Sequence, residues 1–266
     1  MDELPPIGLG TYKNTDPEEC ADIVAAALEL GYHHVDTARA YDNEEYVGDG
    51  IEQADVDRGD VFLATKVWDD MLAHDDVLAG AAASLDDLGV DAIDLLYVHW
   101  PRDTYDAEGT LPAFDELREE GKIEHVGLSN FTPEQLDEAR SILDAPIVAH
   151  QVEMHPLLQQ EELQEYARED DHWLVAYAPV ARGEVAEVDE ILEVAERHDA
   201  TPYQVSLAWL AAKENVAAIP KTSSKEHLRD NLAARELELS EEDIATIDGI
   251  EHEERFIDPD DAPWNQ

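Results

Sequence analysis

The chain has 266 residues, of which 65 are Asp or Glu and 17 are Lys or Arg, for a formal net charge of -48. That charge repels phosphate backbones and anionic bilayers, which excludes nucleic acid and anionic membranes as partners. Hydrophobic residues at 44% are enough for a large core, so the acidity does not imply disorder. The single cysteine, Cys20, excludes an internal disulfide framework and any multi-cysteine metal site, and we expect no metal.

The first ten residues, MDELPPIGLG, carry no basic segment followed by an apolar one, so no secretory signal is expected. No apolar run reaches the roughly 18 residues that a membrane helix needs. A soluble, cytoplasmic, monomeric protein is the expectation. The acidic residues are spread along helical stretches such as DPEECADIVAAALEL rather than gathered in a tail. Small soluble domains carry net charges of about 2–8 in magnitude. The excess motivates the hypothesis of a halophile's salt-rich cytoplasm, against the alternative of an ordinary acidic protein; a melting point that does not rise with salt would refute it.

Short β-branched runs alternate with longer amphipathic stretches along the chain. The expected strands are Ile7–Gly10, His33–Thr37, Val61–Val67, Ile93–Trp100, His125–Ser129, Ile147–Val152, Trp173–Ala178 and Val216–Lys221. Helices are expected to start near Pro17, Glu44, Asp75, Leu111, Pro133, Gln160, Val188 and Ser224, with extra helices at Thr201–Glu214 and Ser240–Ile250. Asp16-Pro17, Thr132-Pro133 and Thr201-Pro202 place a capping side chain before a proline at the first helical position. Gly31 and Gly121 stand where a helix ends in the left-handed conformation. Cys20 falls among apolar positions of the first helix and reads as core.

About eight such units in about 240 residues fit a single-domain (β/α)8 barrel spanning 1–266. The rival is a doubly wound open sheet, which calls for a Gly-x-Gly-x-x-Gly turn after the first strand. Gly8-Leu9-Gly10 is followed by Thr11-Tyr12-Lys13, with neither the third glycine nor an immediate helix. No linker of biased composition divides the chain.

Barrel enzymes build their sites at the C-terminal ends of the strands. Four polar groups lie there: Asp36 in HHVDTA, Tyr41 in the loop after it, Lys66 in VFLATKVW and His99 in IDLLYVHWP. A buried Lys66 ammonium needs a partner, and Asp36 on the preceding strand is suitable. An ammonium near Tyr41 is expected to lower the phenol's pKa, making it a proton donor to a substrate oxygen. The His99 imidazole is placed to orient a carbonyl and to donate to its oxygen as charge builds there. This set suits carbonyl reduction by hydride, for which a nicotinamide is the usual donor. Each residue also has a plain reading: Asp36–Lys66 as a structural ion pair, His99 as a core histidine, Tyr41 as a loop aromatic. Their joint occurrence at the ends of three consecutive strands favours the chemical one.

Over essentially the whole chain the sequence resembles the aldo-keto reductase family. GLGTY, GYHHVDTARAYDNEEYVG, TKVW, DLLYVHWP, GLSNF, QVEMHP and IPKTSSKEHLRDN are similar to its motifs and follow in its order. The likeness is to the compact prokaryotic type that includes 2,5-diketo-D-gluconate reductases. It implies a catalytic tetrad of Asp36, Tyr41, Lys66 and His99, with Tyr41 as the acid. It implies NADP(H) contacts from the backbone at Gly10 and Thr11, with Asp36 beside the ribose. Ser129, Asn130 and Gln151 resemble the carboxamide-binding group, and Tyr177 the aromatic that stacks on the nicotinamide ring. Val180, Arg182 and Gly183 resemble the loop near the pyrophosphate. Lys221, Thr222 and Ser223 stand where the family grips the 2′-phosphate, at the start of a helix. Asp230 and Asn231 fall where it contacts adenine.

Two departures matter. His227 stands where the family often has Arg, and a neutral imidazole gives phosphate neither a fixed charge nor a fork of donors. NADP(H) remains favoured through Lys221, with NAD(H) also usable. Ala178 replaces a common Ser, which removes a hydrogen bond. Tyr12, Trp68 and Trp100, with His99, are expected to wall a pocket open to small carbonyls such as keto-sugars or methylglyoxal. Two rival functions are a Schiff-base lyase acting through Lys66 and a non-catalytic, nicotinamide-binding regulatory subunit.

Overall fold

The computed structural model describes residues 4–266. Eight parallel strands run in chain order around one sheet: β1 (Leu9–Gly10), β2 (His34–Asp36), β3 (Phe62–Val67), β4 (Ile93–Val98), β5 (Ile123–Ser129), β6 (Ile147–Glu153), β7 (Trp173–Tyr177) and β8 (Val216–Ala218). The sheet closes on itself where Ile7 bridges Ala218 and Gly10 bridges Lys221, so the ring is a (β/α)8 barrel. Pro220 offers no N–H to a ladder, which leaves β8 at three residues and the closure to single bridges.

Helices α1 (Pro17–Leu30), α2 (Glu44–Gln53), α3 (His74–Leu88), α4 (Ala107–Glu119), α5 (Pro133–Ile142), α6 (Glu161–Glu169), α7 (Asp189–His198), α8 (Pro202–Ala211), α9 (Lys225–Ala233) and α10 (Glu241–Asp248) accompany the strands. The start signals work as the sequence implies. Asp16 accepts from the Glu19 N–H at 3.0 Å, and Thr132 and Thr201 close capping boxes with Gln135 and Gln204. Gly31 ends α1 at φ 99°, where a Cβ would be strained. One boundary differs. Helix α4 begins at Ala107, not near Leu111, because the Asp106 carbonyl already accepts the Gly109 and Thr110 N–H groups; Pro112 lies inside the helix.

The core has two layers. Alternate strand residues such as Leu63, Leu96 and Val98 face outward under the helices. Ala64, Leu95, Tyr97, Ala149, Val175 and Ala217 fill the barrel, with Leu4. Cys20 is fully buried, as expected, and burial pushes its thiol up to about 11. Among the described residues no helix is long and apolar enough to cross a membrane, and no cluster of metal-ligating side chains occurs.

The tail after α10 lies along the strand ends. The Glu153 carboxylate at the end of β6 accepts the backbone N–H groups of Phe256 at 2.8 Å and Ile257 at 2.9 Å, and the His155 ring Nε2 at 3.1 Å. Arg102 joins Asp69 after β3 to Asp261 of the tail. These bonds bring Trp264 to 5.6 Å from Trp100.

Candidate active site

Period-two alternation turns Asp36, Lys66 and Gln151 inward near the C-terminal ends of β2, β3 and β6. Lys66 donates from Nζ to Asp36 Oδ1 and, at 2.7 Å, to the Thr37 carbonyl. The pair is out of contact with water, its side chains 0% and 2% exposed. Gln151 Nε2 donates to the other Asp36 oxygen at 2.8 Å. The Lys66 pKa falls below its ordinary value because burial outweighs the attraction of Asp36.

Tyr41 ends a single 3-10 turn, Arg39–Tyr41, after β2. The Asn43 amide fastens this loop to the carbonyls of Thr11 and Asn14 at 3.0 Å each, and Thr37 donates to Asn43 at 2.8 Å. Behind it, the buried Glu44 carboxylate accepts from Thr65, Ser84 and Arg39. The Lys66 ammonium lies 5.4 Å from the Tyr41 ring centre, so the two side chains face the same pocket. His99 follows β4, its ring 5.8 Å from that of Tyr41 and 4.8 Å from that of Trp68.

The expected acidification of Tyr41 is corrected. Burial first, and then the Asp36 carboxylate, raise its pKa well above the phenol range. The Asp36 carboxylate bonded to Lys66 offsets the ammonium's pull on the phenol, so burial prevails. His99 is held neutral, its pKa driven well below the imidazole range by burial and then by Lys66 and Arg102. Its Nδ1 has no hydrogen-bond partner among the described residues.

Beside these groups Ser129 donates to the Gln151 carbonyl at 3.0 Å, and Asn130 Nδ2 donates to Ser129 Oγ and the His99 carbonyl, each at 3.0 Å. Tyr177 on β7 donates to Asn130 Oδ1 at 2.7 Å. Three amide or hydroxyl side chains and one aromatic ring thus meet beside Asp36 and His99, a donor set that fits a planar carboxamide-bearing ring. Thr11 bonds the Asp36 carbonyl through both N–H and Oγ1, and the Gly10 N–H reaches the Pro220 carbonyl. Past β7, Ala178, Ala181, Arg182 and Gly183 all have positive φ, so the turn holding Val180 is sharply bent.

The remaining expected residues lie apart from the carbonyl pocket. Lys221, Ser223 and His227 are exposed at the β8–α9 junction, Thr222 is buried, and Asp230 and Asn231 follow on α9. Residues 221–229 hold Lys221, Lys225 and Arg229 against one acid, Glu226, the reverse of the chain's overall balance. Ser224 caps α9 from its hydroxyl. Exposed cations at a capped helix start fit a phosphate group.

Tyr12, 48% exposed, packs edge-on to Tyr41. Trp68 touches His99, whereas Trp100 is turned to Arg102 and Trp264. The sequence reading missed Trp264, Glu153 and Tyr97. Nothing local marks the first two, which depend on where the tail lies. Tyr97 was legible, since in Asp94–His99 it shares the inward face with His99 two residues on.

The sequence profile of the Aldo/keto reductase family matches residues 6–252. A glyoxal reductase of Bacillus subtilis (strain 168) is 35% identical over 254 residues, 95% of this chain and 91% of that one. A methylglyoxal reductase of Salmonella typhi is 35% identical over 260 residues, 97% of each. The crystal structure of a putative 2,5-diketo-D-gluconic acid reductase B superposes with a TM-score of 0.92 at 36% identity, covering 97% of this chain and 92% of that one. A closed eight-stranded barrel, a buried Asp–Lys pair beneath a tyrosine and a histidine, and a likeness running from end to end lead to one assignment: the chain belongs to the aldo/keto reductase family and is an oxidoreductase acting on carbonyls.

Proposed function

We propose that the protein reduces small aldehydes or ketones with NADP(H), through Tyr41 as acid and His99 as carbonyl-orienting donor. The observation that carries this reading is the shared pocket of Lys66, Tyr41 and His99. When bound, the nicotinamide supplies the hydride. Ser129, Asn130 and Gln151 hold its carboxamide, and Tyr177 supports the ring. Val180, Arg182 and Gly183 would contact the pyrophosphate, and the backbone at Gly10 and Thr11 would flank the cofactor. Lys221, Thr222, Ser223 and His227 take the 2′-phosphate, and Asp230 and Asn231 the adenine.

His99, kept neutral, donates an N–H bond that strengthens as the carbonyl oxygen gains charge. Tyr41, kept protonated by burial, then gives its proton to that oxygen. Its high pKa does not block the step, because an alkoxide is a stronger base than a phenolate. Lys66 stabilises the phenolate so formed, and Asp36 with the Thr37 carbonyl keeps the ammonium in place. Trp68 packs on His99 at the pocket, and the tail places Trp264 on Trp100.

The substrates named for the relatives, glyoxal, methylglyoxal and diketogluconate, are small polar carbonyls, and we extend that class to this chain. With His227 in place of a fixed cation, Lys221 supports NADPH while permitting NADH. The fully buried, doubly bonded Lys66 disfavours a Schiff base, since its Nζ is closed to a substrate. The test is NADPH, then NADH, with a panel of small carbonyls in high salt, followed by loss of nicotinamide absorbance. Turnover with methylglyoxal is expected, faster with NADPH. Cofactor binding without reduction of any carbonyl would overturn the reading.

A further inference from the structure

Tyr97 is fully buried inside the barrel, and the reaction as read above gives it no part. It pairs in register with Lys66 across β3 and β4, and with Gly127 across β4 and β5. Its position depends on that glycine: a Cβ at 127 would lie 2.5 Å from two carbons of the Tyr97 ring. The ring is therefore laid against bare backbone, and Lys66 Nζ stands over it at 5.8 Å from the centre. The Tyr41 ring faces the same ammonium at 5.4 Å. Both distances are within the reach of a cation–π contact, which gains strength where water is excluded. The Tyr97 hydroxyl faces the Gln151 side chain without closing a hydrogen bond. A leucine here would lack both the ring's area and its negative face, so the ring is what distinguishes this position.

We propose that Tyr97 is a positioning residue whose ring, set by Gly127, holds the Lys66 ammonium charged and in place beneath Tyr41. The proposal rests on the functional reading above only for its bearing on catalysis. Burial by itself works against the charge on Lys66. The charged and titratable groups facing it are Asp36 and His34 from β2, Tyr41 from the turn after it, Glu44 from α2, and Tyr97 and His99 from β4 and its end. Asp36 and Glu44 favour the ammonium; the two rings add an attraction that survives in a dry interior. Losing one ring lets the proton leave at lower pH.

The experiment compares Tyr97→Phe, Tyr97→Leu and a chain with trifluorophenylalanine at 97, which keeps the ring's shape but withdraws its negative face. Six lysines make the chain tractable for direct titration by NMR with labelled lysine side chains. The Phe form is expected to titrate Lys66 as wild type does. The Leu and fluorinated forms are expected to titrate it lower by about half to one pH unit. The alkaline limb of the kcat profile should move down with it. If the Leu form does not fold, the fluorinated form decides. A Lys66 titration the same in the fluorinated and Phe forms would overturn the proposal. A wild type that reduces no carbonyl would instead end the functional reading and leave the titration intact.

Discussion

Replacing Lys66 with Met separates the structural role of the buried pair from its chemical one. In the wild type both side chains are essentially sealed from water. Removing the ammonium leaves the Asp36 carboxylate with one side-chain donor, Gln151 at 2.8 Å, and strips the other oxygen of its partner. Breaking a buried ion pair in this way costs about 3–5 kcal/mol, and the retained Gln151 bond places this case near the lower figure. At about 2–4 °C per kcal/mol for a chain of this size, the melting point should fall by about 6–12 °C. Calorimetry in one fixed salt concentration checks it. Adding Asp36→Asn removes the stranded charge, so the double variant should regain most of the loss while carbonyl reduction stays abolished. A Lys66→Met protein melting within about 2 °C of wild type, or a double variant no more stable than the single, would refute the coupling on which this reasoning rests.

Tyr41→Phe should retain NADPH binding, measured by fluorescence titration, and lose about a hundredfold or more in kcat, the scale of one general acid. At Glu153 burial raises the pKa, but the bonds from His155, Phe256 and Ile257 outweigh it, so the folded value lies below the ordinary carboxylate one. Its stabilisation is therefore complete above the unfolded pKa and is lost as pH falls through the folded one. The tail should resist proteolysis at neutral pH, become labile below about pH 4, and be labile at neutral pH in Glu153→Gln. With a net charge of -48, the melting point should rise between dilute and molar salt, as the Debye length contracts from about 10 Å at 0.1 M to about 3 Å at 1 M. A flat series would mean that self-repulsion is not what limits stability.

The barrel was legible in the sequence because its signals are local. Period-two runs place the eight strands to within one to three residues at most ends, and Asp16, Thr132 and Thr201 mark helix starts through bonds made three residues away. Asp36, Lys66 and His99 were legible for the same reason, being polar groups at the ends of apolar strands. Three things were decided only by tertiary structure. The direction of the Tyr41 pKa depends on burial first and then on the Asp36 carboxylate, surroundings that no motif states. The course of the tail depends on one carboxylate, Glu153, more than a hundred residues from the N–H groups it accepts. The place of Tyr97 depends on the missing side chain of Gly127, a neighbour only once the strands pair. Backbone periodicity and capping act over a few residues and can be read in order, whereas charge balance and close packing depend on distances that exist only after the barrel closes.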